Sequence, residues 1–162
     1  MIVVEGKTDK ELLIALGMPK KLVKVAGAKG RVCNYLRKSG SRFRFGMVDE
    51  DPEGQAQPPL MERMQVVEER HGVRVLEDPG SGNRLLVLCP RLEEWVLQAA
   101  KGVGVSVNEF GLPPDAREFK KLPTTRRLDD LRRLVRHLHE RKSPPIRHLE
   151  HHLRLMKKAL SK

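Results

Sequence analysis

The chain has 162 residues, 39% of them hydrophobic and 33% charged, with a formal net charge of +11 and a pI near 10.1. That length suits one domain with a proper core, or one domain with a helical appendage. No stretch is long and apolar enough for a membrane span and no signal-peptide pattern opens the chain, so a cytoplasmic protein is expected.

The first apolar run, Ile2-Val3-Val4, reads as a short strand that delivers Glu5 to its carboxyl end, where Gly6 permits a tight turn. Thr8 is the expected cap of a first helix, with Glu11 three residues on and Leu12, Leu13, Ile14 and Leu16 as its apolar positions. Residues 22–26 read as a second strand. Gly27-Ala28-Lys29-Gly30 then opens a helix to about Arg37. A lysine between glycines at a helix start is a candidate phosphate contact, although the P-loop spacing is absent and a plain helix-entry turn fits equally well.

Phe43 to Val48 is a third strand that runs straight into Asp49, Glu50 and Asp51, and Pro52 and Gly54 stop it. Alternation sends Asp49 and Asp51 to one side and Glu50 to the other. Two carboxylates on one side repel unless a cation separates them, and Mg²⁺, which prefers oxygen ligands, suits such a pair. A Pro-rich loop from Pro52 to Pro59 follows, then an expected helix from about Leu60 to His71 (Leu60, Met64, Val67) ended by Gly72. Residues 73–76 and 84–88 are further strands around the turn from Glu77 to Asn83 and are candidates for an antiparallel hairpin. The alternation of elements predicts an α/β fold with a mainly parallel sheet flanked by helices.

Two acidic strand ends in this order, E-G after the first strand and D-x-D after a later one, resemble the Toprim domain, the metal-binding module of topoisomerases, bacterial primases and several nuclease families. The resemblance covers roughly the first hundred residues and implies a Toprim-like, Rossmann-like sheet. It implies Asp49, Asp51 and Glu5 as ligands of one or two Mg²⁺ ions, with Mn²⁺ as a substitute. Glu5 then either ligates or acts as general acid/base. Lys7, two residues on, is a candidate to touch a phosphate or stabilise the pentavalent transition state, with an ordinary solvated lysine as the alternative. After the apolar strand at 84–88, Cys89-Pro90-Arg91-Leu92-Glu93-Glu94 is read as a helix start with Pro90 in its first turn. In small Toprim-like relatives, resembling those of the overcoming-lysogenization-defect nucleases, a later acidic residue completes a second metal site. By that resemblance Glu93 is the added ligand, with Glu94 behind it. The only tyrosine, Tyr35, falls on a predicted helix among apolar neighbours, and no primase-type zinc module is present, which favours a nuclease over a topoisomerase or primase. Small Toprim ribonucleases of the M-five type keep RNA open as a substrate.

The remaining chain divides into a Gly/Pro-bounded connector, 101–114, and a basic helical segment, 115–162, packed on the 1–100 core. From Asp115 onward 15 Lys/Arg stand against 6 Asp/Glu, whereas the first 114 residues are nearly neutral. Thr125 to Arg141 and Ile146 to Leu160 carry apolar stripes on either side of Ser143-Pro144-Pro145, which predicts a basic helical hairpin. Its charge implies a polyanionic partner, nucleic acid above all, with Arg126, Arg127, Arg132, Arg133 and Arg136 as contacts beside Lys29. Its seams admit self-association or a protein partner such as an ATPase. His148, His151 and His152 lie off the seam and read as a solvated surface rather than a metal site. Cys33 and Cys89 lack metal or disulfide spacing and read as reduced thiols. The function implied is an Mg²⁺-dependent nuclease, with a non-catalytic nucleic-acid- or nucleotide-binding subunit as the alternative.

Overall fold

In a computed structural model, residues 1–38, 43–54 and 56–161 are described. Six strands form one sheet: β1 (Ile2–Val4), β2 (Val23–Val25), β3 (Phe45–Asp49), β4 (Gln65–Arg70), β5 (Val73–Glu77) and β6 (Arg84–Leu88), in the order β2-β1-β3-β6-β5-β4. The pairings β2-β1, β1-β3 and β3-β6 are parallel, and β6-β5 and β5-β4 are antiparallel. The mostly parallel sheet and its flanking helices make a Rossmann-like α/β architecture.

The helices are α1 (Lys7–Ala15), α2 (Lys29–Arg37), α3 (Pro59–Arg63), α4 (Leu92–Gly102), α5 (Ala116–Lys121), α6 (Thr124–Glu140) and α7 (Pro144–Leu160). Strand alternation sorts the side chains into two cores. Val3, Val48, Leu85 and Val87 meet Val32, Cys33 and Leu36 of α2 and Leu60 of α3 on one face. Ile2, Val4, Phe45, Met47, Leu86 and Leu88 face the other way, onto α1, α4, α6 and α7. A Cβ on Gly46 would stand 2.7 Å from Val32 Cγ1, so this glycine lets α2 press onto the sheet centre. Both cysteines are free, as expected. No helix among the described residues is long and apolar enough to cross a membrane.

The stretch expected to be one helix from Leu60 to His71 is instead the single turn α3 followed by the edge strand β4. Leu60 and Met64 do turn inward, but Val66 and Val67 stay exposed. The β-branched pair and the charged residues after it suit a sheet edge, where charge discourages pairing with another chain. Gly72 does not end a helix. His71 and Gly72, at φ 55° and 72°, form a two-residue hairpin turn that needs a left-handed backbone at both positions. The expected β5–β6 hairpin is present and gains β4 as a third antiparallel member. Gln55 of the loop after β3 lies outside the described residues.

The segment after Asp115 shares the core of the sheet. Phe119, Leu131, Leu134, Val135, Leu138, Ile146, Leu149 and Leu153 are buried in the same cluster as Leu12, Met47 and Leu88. The connector contains a short 3₁₀ turn at Val107–Phe110. Asp115 caps α5 by accepting the Arg117 N–H at 2.7 Å.

Candidate active site

The corner at the carboxyl ends of β1 and β3 is built by the chain reversing direction across the sheet. From β1 the chain passes through α1 on one face to β2, then returns through α2 on the other face to β3. β1 and β3 are therefore neighbours whose helices leave on opposite faces, the crevice where open α/β sheets place ligands. Glu5 and Asp49 stand at that crevice. Glu5 Oε1 accepts the backbone N–H of Asp49 at 2.8 Å, so the two strand ends are joined directly.

Asp49 is the most perturbed group. Its Oδ1 accepts the N–H of Leu92, the first residue of α4, at 3.1 Å. Burial, reinforced by the charges of Asp9, Glu93 and Glu5, pushes its carboxyl up to about 8. Asp9 is buried too, and burial with the Glu5 charge pushes it up to about 7. Burial also raises Glu93, against which Lys120 and Arg127 act in the lowering direction. Four carboxyl groups thus share one corner, two of them holding protons into the neutral range, beside a wall of two cations.

Asp9 was not among the residues expected from sequence. The sequence pattern places the helix cap at Thr8 with Glu11, but Gly6 is the capping position and Asp9, not Glu11, returns to it: Asp9 Oδ2 accepts the Gly6 N–H at 2.9 Å. An acidic residue three positions after the strand-ending glycine was the available signal. Pro90 is likewise not in the first turn of α4. It precedes the capping residue Arg91, after a cis Cys89-Pro90 bond.

Asp51 behaves differently from its expected partner. β3 ends at Asp49, and Asp51, at φ 47°, leaves the strand conformation. Both side chains turn toward the start of α4, but Arg91 Nε reaches Asp51 Oδ1 at 3.0 Å while also binding Glu94 at 2.9 Å. The charge expected to demand a metal at Asp51 is met by an arginine. Glu50 faces away, as alternation predicted, and pairs with Arg74 at 3.1 Å.

The basic candidates are largely occupied. Lys29 Nζ donates to the Glu50 carbonyl at 3.0 Å and to Gln57 Oε1 at 3.2 Å, bracing the loop after β3. Arg127 donates to Thr8 Oγ1 and to the carbonyls of Lys120 and Leu122. Arg132 pairs with Glu11 at 3.0 Å and with Asp129. Arg126 and Arg133 both reach Asp130 and also the Gly111 and Phe110 carbonyls respectively. Arg136 is exposed, with no such partner among the described residues, and Lys7 is exposed at the start of α1. Four of the five arginines therefore tie α6 to the body, a role that composition cannot distinguish from nucleic-acid contact.

The histidines form a second cluster. His148 and His152 are not a solvated surface: their side chains are 10% and 7% exposed and both approach Glu68 of β4. His151 is exposed. Among the described residues, Glu68, His148 and His152 are the only three such groups whose ligand atoms all lie within 4.8 Å of one another. The carboxylate that meets them comes from β4, in the stretch where the periodicity predicts a helix. A cavity of about 660 Å³ runs along a different face of α4, with Glu94 and Lys101 as its only charged lining, and holds no comparable cluster. No family model, curated protein or solved structure matches the chain.

Proposed function

We propose that the chain is a Toprim-type, divalent-metal-dependent nuclease whose reaction centre is the corner formed by Glu5, Asp9, Asp49 and Glu93. The observation that carries this reading is the meeting of Glu5 and Asp49 at the crevice between β1 and β3, with two further carboxyl groups brought in by α1 and α4. The donor set suits Mg²⁺, or Mn²⁺ in its place, by its chemistry, although among the described residues its oxygens are not gathered as those of Glu68, His148 and His152 are and would draw together on an ion. The set is all oxygen, it is too crowded for every group to ionise unaided, and its raised carboxyls are those that a nearby cation would deprotonate. Bound there, Mg²⁺ supplies charge neutralisation for a scissile phosphate and a more acidic water.

The protein's own groups supply the rest. Asp49, fixed by the Leu92 N–H, is the central ligand, with Asp9 and Glu93 beside it. Glu5 is held by the Asp49 N–H through one oxygen, which leaves the other to ligate or to take a proton from attacking water. Lys120 and Arg127, close enough to lower Glu93, offer positive charge to a phosphodiester entering the corner, and Lys7 stands at the rim. Asp51 is a secondary ligand that must first leave Arg91.

The test is incubation of the purified protein with labelled single- and double-stranded DNA and RNA in Mg²⁺, Mn²⁺ or EDTA, alone and with candidate ATPase partners. Metal-dependent cleavage abolished by Asp49→Asn and Glu5→Gln is expected. Binding without cleavage under every condition would replace the enzyme with a nucleic-acid-binding subunit.

A further inference from the structure

We propose that Glu68, His148 and His152 form a separate metal site, selective for Zn²⁺ or a similar borderline cation, that fastens the sheet edge to the last helix. It is independent of the acidic corner, being built on β4, three strands from β3.

A register irregularity creates it. Val66 pairs with Leu76, but Glu68, rather than Val67, pairs with Val75, so β4 carries a bulge at Val67. Directly opposed residues share a face, and Val75 belongs to the core that contains α7. In regular register Val67 would oppose Val75 and Glu68 would project from the opposite face. The extra residue therefore turns Glu68 toward α7. There His148 and His152, four residues apart, lie one turn above the other on one side of the helix.

The contacts gather three ligand-type atoms at one point. His152 Nε2 lies 2.8 Å from Glu68 Oε1 in hydrogen-bonding geometry. His148 Nε2 comes within 2.5 Å of the same oxygen, so two ring nitrogens crowd one acceptor. The two rings are perpendicular, with centroids 4.8 Å apart. Two imidazole nitrogens thus converge on a single carboxylate oxygen, in a pocket where both rings are almost wholly buried. A cation entering between them would draw the donors apart to ligating distance and replace the crowding on one oxygen with a bond to each. Two histidines and one carboxylate are a Zn²⁺ donor set, whereas Mg²⁺ takes oxygen. Glu68 is 38% exposed, so the site opens to solvent on its side and leaves a position for water.

The test uses the full chain, stripped with chelator and titrated with ZnCl₂ by calorimetry in excess Mg²⁺, which competes for the acidic corner, with thermal unfolding recorded with and without Zn²⁺. One Zn²⁺ per chain and a raised Tm are expected. Glu68→Gln and His152→Ala should each weaken that binding by about tenfold or more and remove the Tm gain. Asp49→Asn should leave both unchanged. Because His152→Ala opens a buried position, Glu68→Gln, at a partly exposed one, gives the decisive comparison, with circular dichroism verifying its fold. Co²⁺ in place of Zn²⁺ should give a visible absorption band in wild type that Glu68→Gln loses. Absence of Zn²⁺ binding, undiminished affinity in Glu68→Gln, or loss of binding in Asp49→Asn would overturn the proposal.

Discussion

Asp49→Asn gives the sharpest physical test of the acidic corner, because its effect on stability reverses with pH. In the metal-free fold Asp49 holds its proton to about 8, against 3.8 for a solvated aspartate. The folded state therefore binds the proton more tightly than the unfolded state. Below about pH 4 both states are protonated and Asp49 costs nothing. As pH rises toward 8, each unit costs the fold about 1.4 kcal/mol, or roughly 4 kcal/mol by neutral pH, and above 8 the penalty is constant. Asparagine removes that cost but buries an amide with an incompletely paired N–H₂, a loss of about 1–3 kcal/mol. Its oxygen can still accept the Leu92 N–H. In EDTA, urea unfolding should show the variant about 1–3 kcal/mol more stable than wild type near neutral pH, and no more stable, or less, near pH 4–5. Millimolar Mg²⁺ should stabilise wild type selectively and erase the difference. A stability change independent of pH, or a variant less stable than wild type at neutral pH without metal, would refute the crowded-carboxylate account.

Catalytic loss should follow position in the corner. Cleavage rates should fall by two orders of magnitude or so in Asp49→Asn and Asp9→Asn, and less in Asp51→Asn, whose charge Arg91 already meets. Deleting residues from Asp115 onward should prevent folding, read by circular dichroism. It removes nine buried apolar side chains, each worth about 1.5–3 kcal/mol, against a total stability of about 5–15. The binding surface is better probed by Arg136→Glu, which should leave the Tm unchanged and lower the salt dependence of nucleic-acid binding by roughly one counterion. Gly46→Ala should cost about 1–3 kcal/mol in urea unfolding, since its methyl would meet Val32.

The strands of the parallel half were legible because each is a short apolar run closed by a turn residue, and those turns carried Glu5 and Asp49 to the right end of the sheet. The region from Leu60 to Arg70 was not legible. Leu60, Met64 and Val67 repeat at helical spacing, and only the β-branched pair and the two-residue turn after it argued for a strand. A helix there would place Glu68 away from α7, so the partner of its histidines does not show in the pattern. Asp9 was hidden by a competing cap at Thr8. The arginines of α6 were visible as charge, but whether a guanidinium meets Glu11 or a phosphate depends on contacts across more than a hundred residues, which periodicity does not encode.

Those long-range contacts have a consequence for synthesis on the ribosome. Arg127 meets Thr8 and Arg132 meets Glu11, so α1 is covered by a helix made more than a hundred residues later. When Lys121 has left the exit tunnel all six strands are already available, yet Leu12 and Leu13 still lack Leu131, Leu134 and Val135. Closing so long a loop comes late, because its entropy must be lost before its contacts form. The nascent chain therefore carries an uncovered apolar helix beside the residues of the acidic corner. That corner gains its α6 wall, Arg127 included, only once translation has passed α6.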